Sequence, residues 1–337
     1  MKPTPDGLVY IGTYSDAIYC CSLPGVPRIA AQLPKPSFLA LHPNRHYLYV
    51  ASEQSEGLVS AWRIESTSGI LSFVNQTTSG GAGPCHIALD ASGAIAVVCN
   101  YADGSINAVR IRPDGSLGET LAAYRNSGTG LRQPRQSAPH PHGAFFSPDN
   151  RLVVVPDLGL DKLFLYGVSD TLNPGGPPSV DLLPGSGPRH FVFHPEGRYG
   201  YAICELTSTI ATFHCNGTSL ETVATRSALP RQHKGKNIAA GILIDPAGRF
   251  LYCSNRGADT IGVFAIGANG DLETVQHVSS EGAAPRHIAM DGTGEWLLAA
   301  NQDADSVVVF CRDSESGRLT ANPPKIGVPR PTCIVFC

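Results

Sequence analysis

The feature that most constrains this sequence is a register repeated along almost its whole length. A short apolar strand, a Pro/Asp/Gly turn, a second apolar strand, a polar corner and a third strand follow in order, most legibly in Arg286–Gln302 and then Asp305–Phe310. Taking the residue that opens the first strand as an anchor gives Ser37, Cys85, His142, Arg189, Ala240, Arg286 and Thr332, which lie 48, 57, 47, 51, 46 and 46 residues apart. In the first six repeats the turn residue (Pro43, Ala91, Pro148, Pro195, Pro246, Gly292) falls six positions after the anchor. A period near 50 with about four short strands per repeat predicts propeller blades, since helical solenoids would carry a 3.6-residue apolar periodicity and no amphipathic helix is legible. The chain is therefore read as all-β, a seven-bladed β-propeller forming one domain over residues 1–337. The seventh anchor, Thr332, is followed by one strand only, and the strands it lacks are found in Leu8–Tyr14 and Ala17–Ser22. The two ends are expected to complete one blade together, closing the ring and removing two exposed sheet edges.

Composition narrows the functional classes. Charged residues make up 16% of the chain, and 25 Lys+Arg against 28 Asp+Glu leave a net charge of -3, which is no footprint for a nucleic-acid partner. The segment from Met1 to Val9 carries Pro3, Pro5, Asp6 and Gly7 where a secretory leader needs a cationic start and an apolar run, and no later stretch is long and apolar enough to span a membrane. The ten cysteines are scattered without a CxxC pair, several of them inside apolar runs such as Val97-Val98-Cys99. They read as reduced, buried, small apolar residues of a cytoplasmic protein. Nothing in the sequence sets an oligomeric state.

Facing residues of an antiparallel hairpin have numbers of constant sum. Centring each hairpin on its turn pairs Ser37 with Glu53, Cys85 with Tyr101, His142 with Leu158, Arg189 with Glu205, Ala240 with Arg256 and Arg286 with Gln302. These pairs are expected at the open ends of their hairpins, on one face of the ring around its channel. A residue present at one register in most blades serves blade geometry, whereas a polar residue present in one blade needs another reason. By that test Asn100, Asp157, Asn255 and Asn301 are corner residues, and Asp103, Asp161, Asp259 and Asp305 are structural. His86, His190 and His287 share a register and divide between packing and substrate contact. The non-repeating set is His142, Arg189, Glu205 and Arg256 as catalytic candidates, with His86, Tyr101, Arg286, Gln302 and Glu53 as substrate-binding candidates. Three arginines, a histidine and a carboxylate converging on a channel mouth predict a pocket for a small anion with an acid/base pair inside it.

Weaker signals read differently. The spacing of His140 and His142 would suit a metal, but no carboxylate or third histidine is close in sequence, so no metal and no cofactor is assigned. Cys85 lacks the context of a nucleophile. The Gly-rich pieces at 80–83 and 185–187 precede strands and read as loops between blades. The longest interval is explained by an extended loop over 128–136 on the same face, flanked by Arg125, Arg132 and Arg135, that could serve as a lid.

The segments Gly83-Pro-Cys-His86, Pro139-His-Pro-His-Gly143, Gly187-Pro-Arg-His190, Glu205-Leu-Thr-Ser-Thr209, Ser254-Asn-Arg-Gly257 and Ala300-Asn-Gln302 resemble those of the seven-bladed propeller lactonases, a family that includes propeller-type 6-phosphogluconolactonases and 3-carboxy-cis,cis-muconate lactonizing enzyme. The resemblance runs from about residue 36 to the C-terminus. It implies metal-free lactone chemistry, either hydrolysis of a sugar-acid or phosphosugar lactone or cyclisation of a carboxymuconate-type diacid, and it places the family's histidine, arginine, glutamate and second arginine on His142, Arg189, Glu205 and Arg256. One departure is local: where many members carry an acidic residue and a histidine in the fifth inner strand, this chain has Ala240-Gly241-Ile242-Leu243. The competing reading is a non-catalytic propeller that binds a small anion or a protein on one face.

Overall fold

The computed structural model describes residues 7–23 and 25–337, with the backbone alone at 174–178. The leader reading of Met1 to Asp6 lies outside the described residues. Seven antiparallel sheets follow one another along the chain, six of four strands and one of five. Each begins with an inner strand: Pro36–Leu41, Pro84–Leu89, Phe145–Phe146, Pro188–Phe193, Ile238–Ile244, Pro285–Met290 and Pro331–Phe336. Each inner strand touches the next, and the last touches the first, so the strands close a ring around an axis. We number the blades 1 to 7 in that order. Blade 7 is the shared one, in which Pro331–Phe336 pairs antiparallel with Leu8–Thr13, as the missing strands of the seventh repeat required. The single helical element among the described residues is the three-residue turn Gln302–Ala304, and no helix there is long and apolar enough to cross a membrane.

Why the ring holds is visible in the burial pattern. Second strands such as Ile95–Asn100 and Trp296–Asn301 are buried at every position, because both faces of each blade are covered by neighbours. Outer strands such as Ser219–Ser227 are mostly exposed. Seven apolar clusters result, each built from two adjacent blades; one joins Leu152, Val154 and Leu165 of blade 3 to Phe191, Ala202 and Phe213 of blade 4. Each fully buried side chain of this size contributes roughly 1.5–3 kcal/mol. Buried phenols add a repeated latch: the hydroxyls of Tyr10, Tyr49, Tyr201 and Tyr252 donate to the carbonyls of Gly69, Gly115, Gly270 and Gly317 in the following blade.

The hairpin register differs from the constant-sum expectation in all six hairpins: next to the turn each is centred half a residue earlier, so that Leu41 faces Leu48 and Phe193 faces Gly200, and a slip at the anchor adds to this in five of them. Pro36 faces Ser52, Pro84 faces Asn100, Pro141 faces Asp157, Pro188 faces Cys204, Ala239 faces Asn255 and Pro285 faces Asn301. The ladder then slips at the next residue in blades 1, 2, 4, 5 and 6, where the register shifts. The anchor is thus the extra residue of a β-bulge, and Arg189 does not face Glu205, nor Ala240 Arg256. A bulge frees a residue from the ladder and re-aims its side chain. Here it turns the anchors toward the channel mouth.

The recurring polar residues clasp blades together. Asn100, Asn255 and Asn301 donate to the carbonyls of Ser79, Ala228 and Ser280 in the segment entering their own blade, a longer reach than the local turn bonding expected of them. Asp161, Asp259 and Asp305 accept from the amides of Gly187, Ala284 and Arg330 at the start of the next blade. Of the ten cysteines, all unpaired, seven are buried, whereas Cys215, Cys311 and Cys337 are only partly covered because they lie toward the blade edges.

Candidate active site

The anchors Cys85, His142 and Arg286 meet at one end of the channel, where a cavity of about 240 Å³ opens. It is lined by Glu53, Cys85, Tyr101, Arg135, His142, Glu205, Ile238, Arg256 and Arg286. Glu205, just past the strand Tyr199–Cys204, is 2% exposed and is the organising group. Its Oε1 accepts from Arg135 Nη2 at 2.5 Å, and its Oε2 accepts from Arg256 Nη2 at 2.7 Å and lies 3.2 Å from Arg189 Nε. The last contact is an ion pair without hydrogen-bond alignment, and Nε of both Arg189 and Arg256 is left without a partner. Arg189 spends Nη1 on the Ala240 carbonyl at 2.9 Å.

These charges fix the protonation states. Burial by itself would raise the Glu205 pKa, but Arg256, Arg189 and Arg135 pull it down to about 2, so the carboxylate is ionised throughout the physiological range. Burial, together with Arg256 and Arg286, lowers the Arg189 pKa to about 9, which leaves it cationic at neutral pH. His142 is 5% exposed, and burial with Arg189 and Arg286 nearby holds its pKa well below the ordinary value, so its ring is neutral. Its Nδ1 lies 3.8 Å from the Cys85 sulfur, and the thiol pKa is raised by burial. A protonated thiol is no nucleophile.

A second cluster sits across the cavity. Arg286 Nη2 donates to the Tyr14 hydroxyl at 2.6 Å, which in turn donates to Glu53 Oε2 at 2.9 Å. Tyr101 receives Arg135 Nη2 on its hydroxyl at 3.4 Å and stacks on His140 at 4.2 Å between centroids. His140 is thereby occupied elsewhere and does not join His142 as a chelating pair. Among the described residues no group of three or more His, Cys, Asp or Glu side chains is arranged to hold a metal ion.

Two substrate-binding candidates are not at the cavity. His86 lies one residue beyond its anchor and points down the channel, where it is 4% exposed and packs 4.1 Å from Phe38 and 5.1 Å from Phe145. With His190 and His287 it forms a plug; burial, chiefly, lowers His86 and His287 to about 3 and His190 well below its ordinary value. Gln302 opens the short helical turn and bonds Asp303, away from the lining residues. Two residues that contact these groups were not among the candidates. Arg135 comes from the long loop, which is no loose lid: its buried Gln136 donates to Leu158 and Asp161 and accepts from the Arg132 amide. Tyr14 comes from the closing blade, outside the repeat register. The fifth inner strand supplies Ile238 to the lining and the Ala240 carbonyl to Arg189; the Gly241 amide bonds Ser254 at 2.9 Å, and a Cβ there would stand 3.1 Å from Ile288.

Two other cavities hold no such buried charge cluster. A cleft of about 330 Å³ beside blade 4 is lined by Leu182, Pro184, Thr207 and Ala211 among others, and an open one of about 610 Å³ by Arg226, Arg231, Glu273 and His277.

Fold and mouth together define a propeller with a buried cationic pocket around a neutral histidine. The chain belongs to the family described as lactonase, 7-bladed β-propeller, whose profile matches residues 9–336. A 6-phosphogluconolactonase of Bacillus subtilis (strain 168) is 35% identical over 342 aligned residues, covering 97% of each chain. One from Formosa agariphila is 35% identical over 302, covering 87% of this chain and 85% of the relative. The solved structure of a periplasmic gluconolactonase from Pseudomonas aeruginosa superposes with a TM-score of 0.90 at 30% identity, covering 98% of both chains.

Proposed function

We propose that this protein hydrolyses a phosphorylated sugar lactone of the 6-phosphogluconolactone type in the mouth cavity. The observation that carries the reading is a neutral, buried histidine that shares with three guanidiniums the lining of a cavity of about 240 Å³, large enough for one such ring. The names of the relatives favour hydrolysis over cyclisation, and the buried thiols of the chain favour a cytoplasmic location.

In the mechanism, a water bound beside His142 gives its proton to the imidazole as its oxygen bonds the lactone carbonyl carbon. The oxyanion that forms is met by Arg256, which lines the cavity and whose Nε makes no hydrogen bond within the protein, while Arg189 adds its charge from beside Glu205. The bond from carbonyl carbon to ring oxygen then breaks, the ring oxygen takes the proton from His142, and the new acid leaves as a carboxylate. Glu205 moves no proton. With a pKa near 2 it is a weak base, and its part is to hold Arg135, Arg189 and Arg256 in place. A bound anion would screen these arginines, relieving the electrostatic part of the depression on His142 and making it a better base.

The test is turnover of 6-phosphoglucono-δ-lactone by EDTA-treated protein, followed by NMR, beside His142→Asn. Ring opening that the variant loses supports the reading, and equal turnover by both proteins removes His142 from the mechanism. Absence of turnover by the wild type defeats the proposed activity.

A further inference from the structure

Three arginines line the mouth cavity and a fourth, Arg189, is buried beside it; three of these four are already committed to one carboxylate. Arg135, Arg189 and Arg256 all lie against Glu205. Arg286 differs: among the described residues no carboxylate oxygen lies within 4.0 Å of its guanidinium. Its one hydrogen bond goes to the Tyr14 hydroxyl at 2.6 Å, and the guanidinium lies over the Tyr14 ring at 4.9 Å. Tyr14 is in turn fixed from both ends of the chain. It follows the strand Leu8–Thr13, its amide donates to the Arg330 carbonyl at 3.0 Å, and the Arg330 guanidinium lies over the same ring at 5.5 Å.

We propose that Arg286 takes the phosphate group of the substrate, and that Tyr14 is the positioning residue that holds it ready. The assignment rests on the lactone-hydrolase reading above. A guanidinium without a carboxylate partner keeps its charge and most of its donors for a two-point contact with phosphate, whereas the arginines on Glu205 would first have to leave an ion pair. Arg135, Arg256 and Arg286 in the lining, with Arg189 buried beside Glu205, stand against Glu53 and Glu205 and leave two uncompensated positive charges around the cavity, close to the charge of a phosphate monoester, about -1.5 to -2 at neutral pH. The Tyr14 hydroxyl stands between Arg286 and Glu53, so the second carboxylate is tied one bond away instead of neutralising the arginine. Burial raises the Tyr14 pKa, which keeps that hydroxyl a donor to Glu53.

The experiment compares kcat/KM for 6-phosphoglucono-δ-lactone and glucono-δ-lactone in the wild type, Arg286→Gln, Arg256→Gln, Tyr14→Phe and Tyr14→Leu. It is paired with calorimetric binding of inorganic phosphate, with acetate as a carboxylate probe. Arg286→Gln is expected to cut the phosphorylated-to-plain ratio by about a hundredfold and phosphate affinity by at least about tenfold, one to two decades being what a charged hydrogen-bonded pair contributes. Tyr14→Phe keeps the ring and loses the bridge, and should lower the ratio by about tenfold through KM; Tyr14→Leu should lower it further. A residue that served folding alone would change stability without moving the ratio. An unchanged ratio in Arg286→Gln, a larger fall in Arg256→Gln, or preference for acetate over phosphate would overturn the assignment. If the wild type opened neither lactone but bound phosphate through Arg286, the hydrolase reading would fail while the anion site stood.

Discussion

The anchors and the residues that directly follow them are neighbours in sequence and have opposite fates. Of the first ring (Ser37, Cys85, His142, Arg189, Ala240, Arg286, Thr332), Cys85, His142 and Arg286 line the cavity at the mouth. Of the second (Phe38, His86, Gly143, His190, Gly241, His287, Cys333), Phe38, His86, His190 and His287 pack against one another in the channel. Both contain histidine, and both histidine environments suppress protonation, yet only His142 borders the cavity. His86 instead accepts the Ala144 amide and packs on aromatic rings. The lesson is that a one-residue step at a β-bulge separates a chemical ring from a packing ring. Where the packing ring carries a glycine, Gly143, the Phe145 side chain fills the space, for a Cβ there would stand 2.5 Å from it.

Acid should break the packing ring first, and this is the largest expected effect. His86 and His287 fall from about 6.5 when unfolded to about 3 when folded, and His190 falls well below its ordinary value. Between pH 6.5 and 3 the unfolded chain binds protons that the folded one refuses, so stability falls as pH drops through that window. With up to three protons involved the slope reaches on the order of 4 kcal/mol per pH unit near pH 5. Glu205, lowered to about 2, acts in a separate window, its contribution being present above about pH 4.5 and lost from there down to 2. Thermal melts across pH 7.5 to 4 check this; stability level down to pH 4.5 would mean that the plug is not neutral.

Breaking the chemical ring should cost next most. Glu205→Gln leaves Arg189 and Arg256 without a counter-charge in a buried setting, which costs roughly 3–5 kcal/mol in chemical denaturation and abolishes turnover by misplacing the arginines. His142→Asn separates chemistry from packing more cleanly. It should lower kcat by about 10² to 10⁴ while stability changes by under about 1 kcal/mol. Because the His142 pKa lies well below its usual value and the Arg189 pKa is about 9, kcat/KM of the wild type should stay level from about pH 8 to below 6.5, where an ordinary histidine would already be half protonated. The smallest effect is expected from Tyr49→Phe, which takes one blade latch from the Gly115 carbonyl for about 1–3 kcal/mol and leaves both rings, and therefore kcat, in place.

The seven blades are legible because turn residues recur at a fixed offset from the anchors, and that offset survives without any knowledge of the bulge. The four central residues, His142, Arg189, Glu205 and Arg256, are legible because each breaks the repeat. The bulge itself left a trace: a proline directly precedes the anchor at Pro36, Pro84, Pro141, Pro188, Pro285 and Pro331. Proline has no N–H to give a ladder and marks strand starts and bulges. Arg135 and Tyr14 could not be found by register, since one comes from a linker and the other from the closing blade, where no second copy exists for comparison. His86 and Gln302 were misplaced because a constant-sum hairpin ignores the slip that sends His86 down the channel and Gln302 into the corner turn.

The most direct test of the whole account is a crystal structure of the protein with 6-phosphogluconate. The carboxylate end should lie beside His142, Arg189 and Arg256 and the phosphate against Arg286, with His86, His190 and His287 still packed beneath and untouched. A product bound in the cleft beside blade 4, at Arg226 and Arg231, or threaded past the histidine plug would contradict it, because the bulge residues would then not form the site.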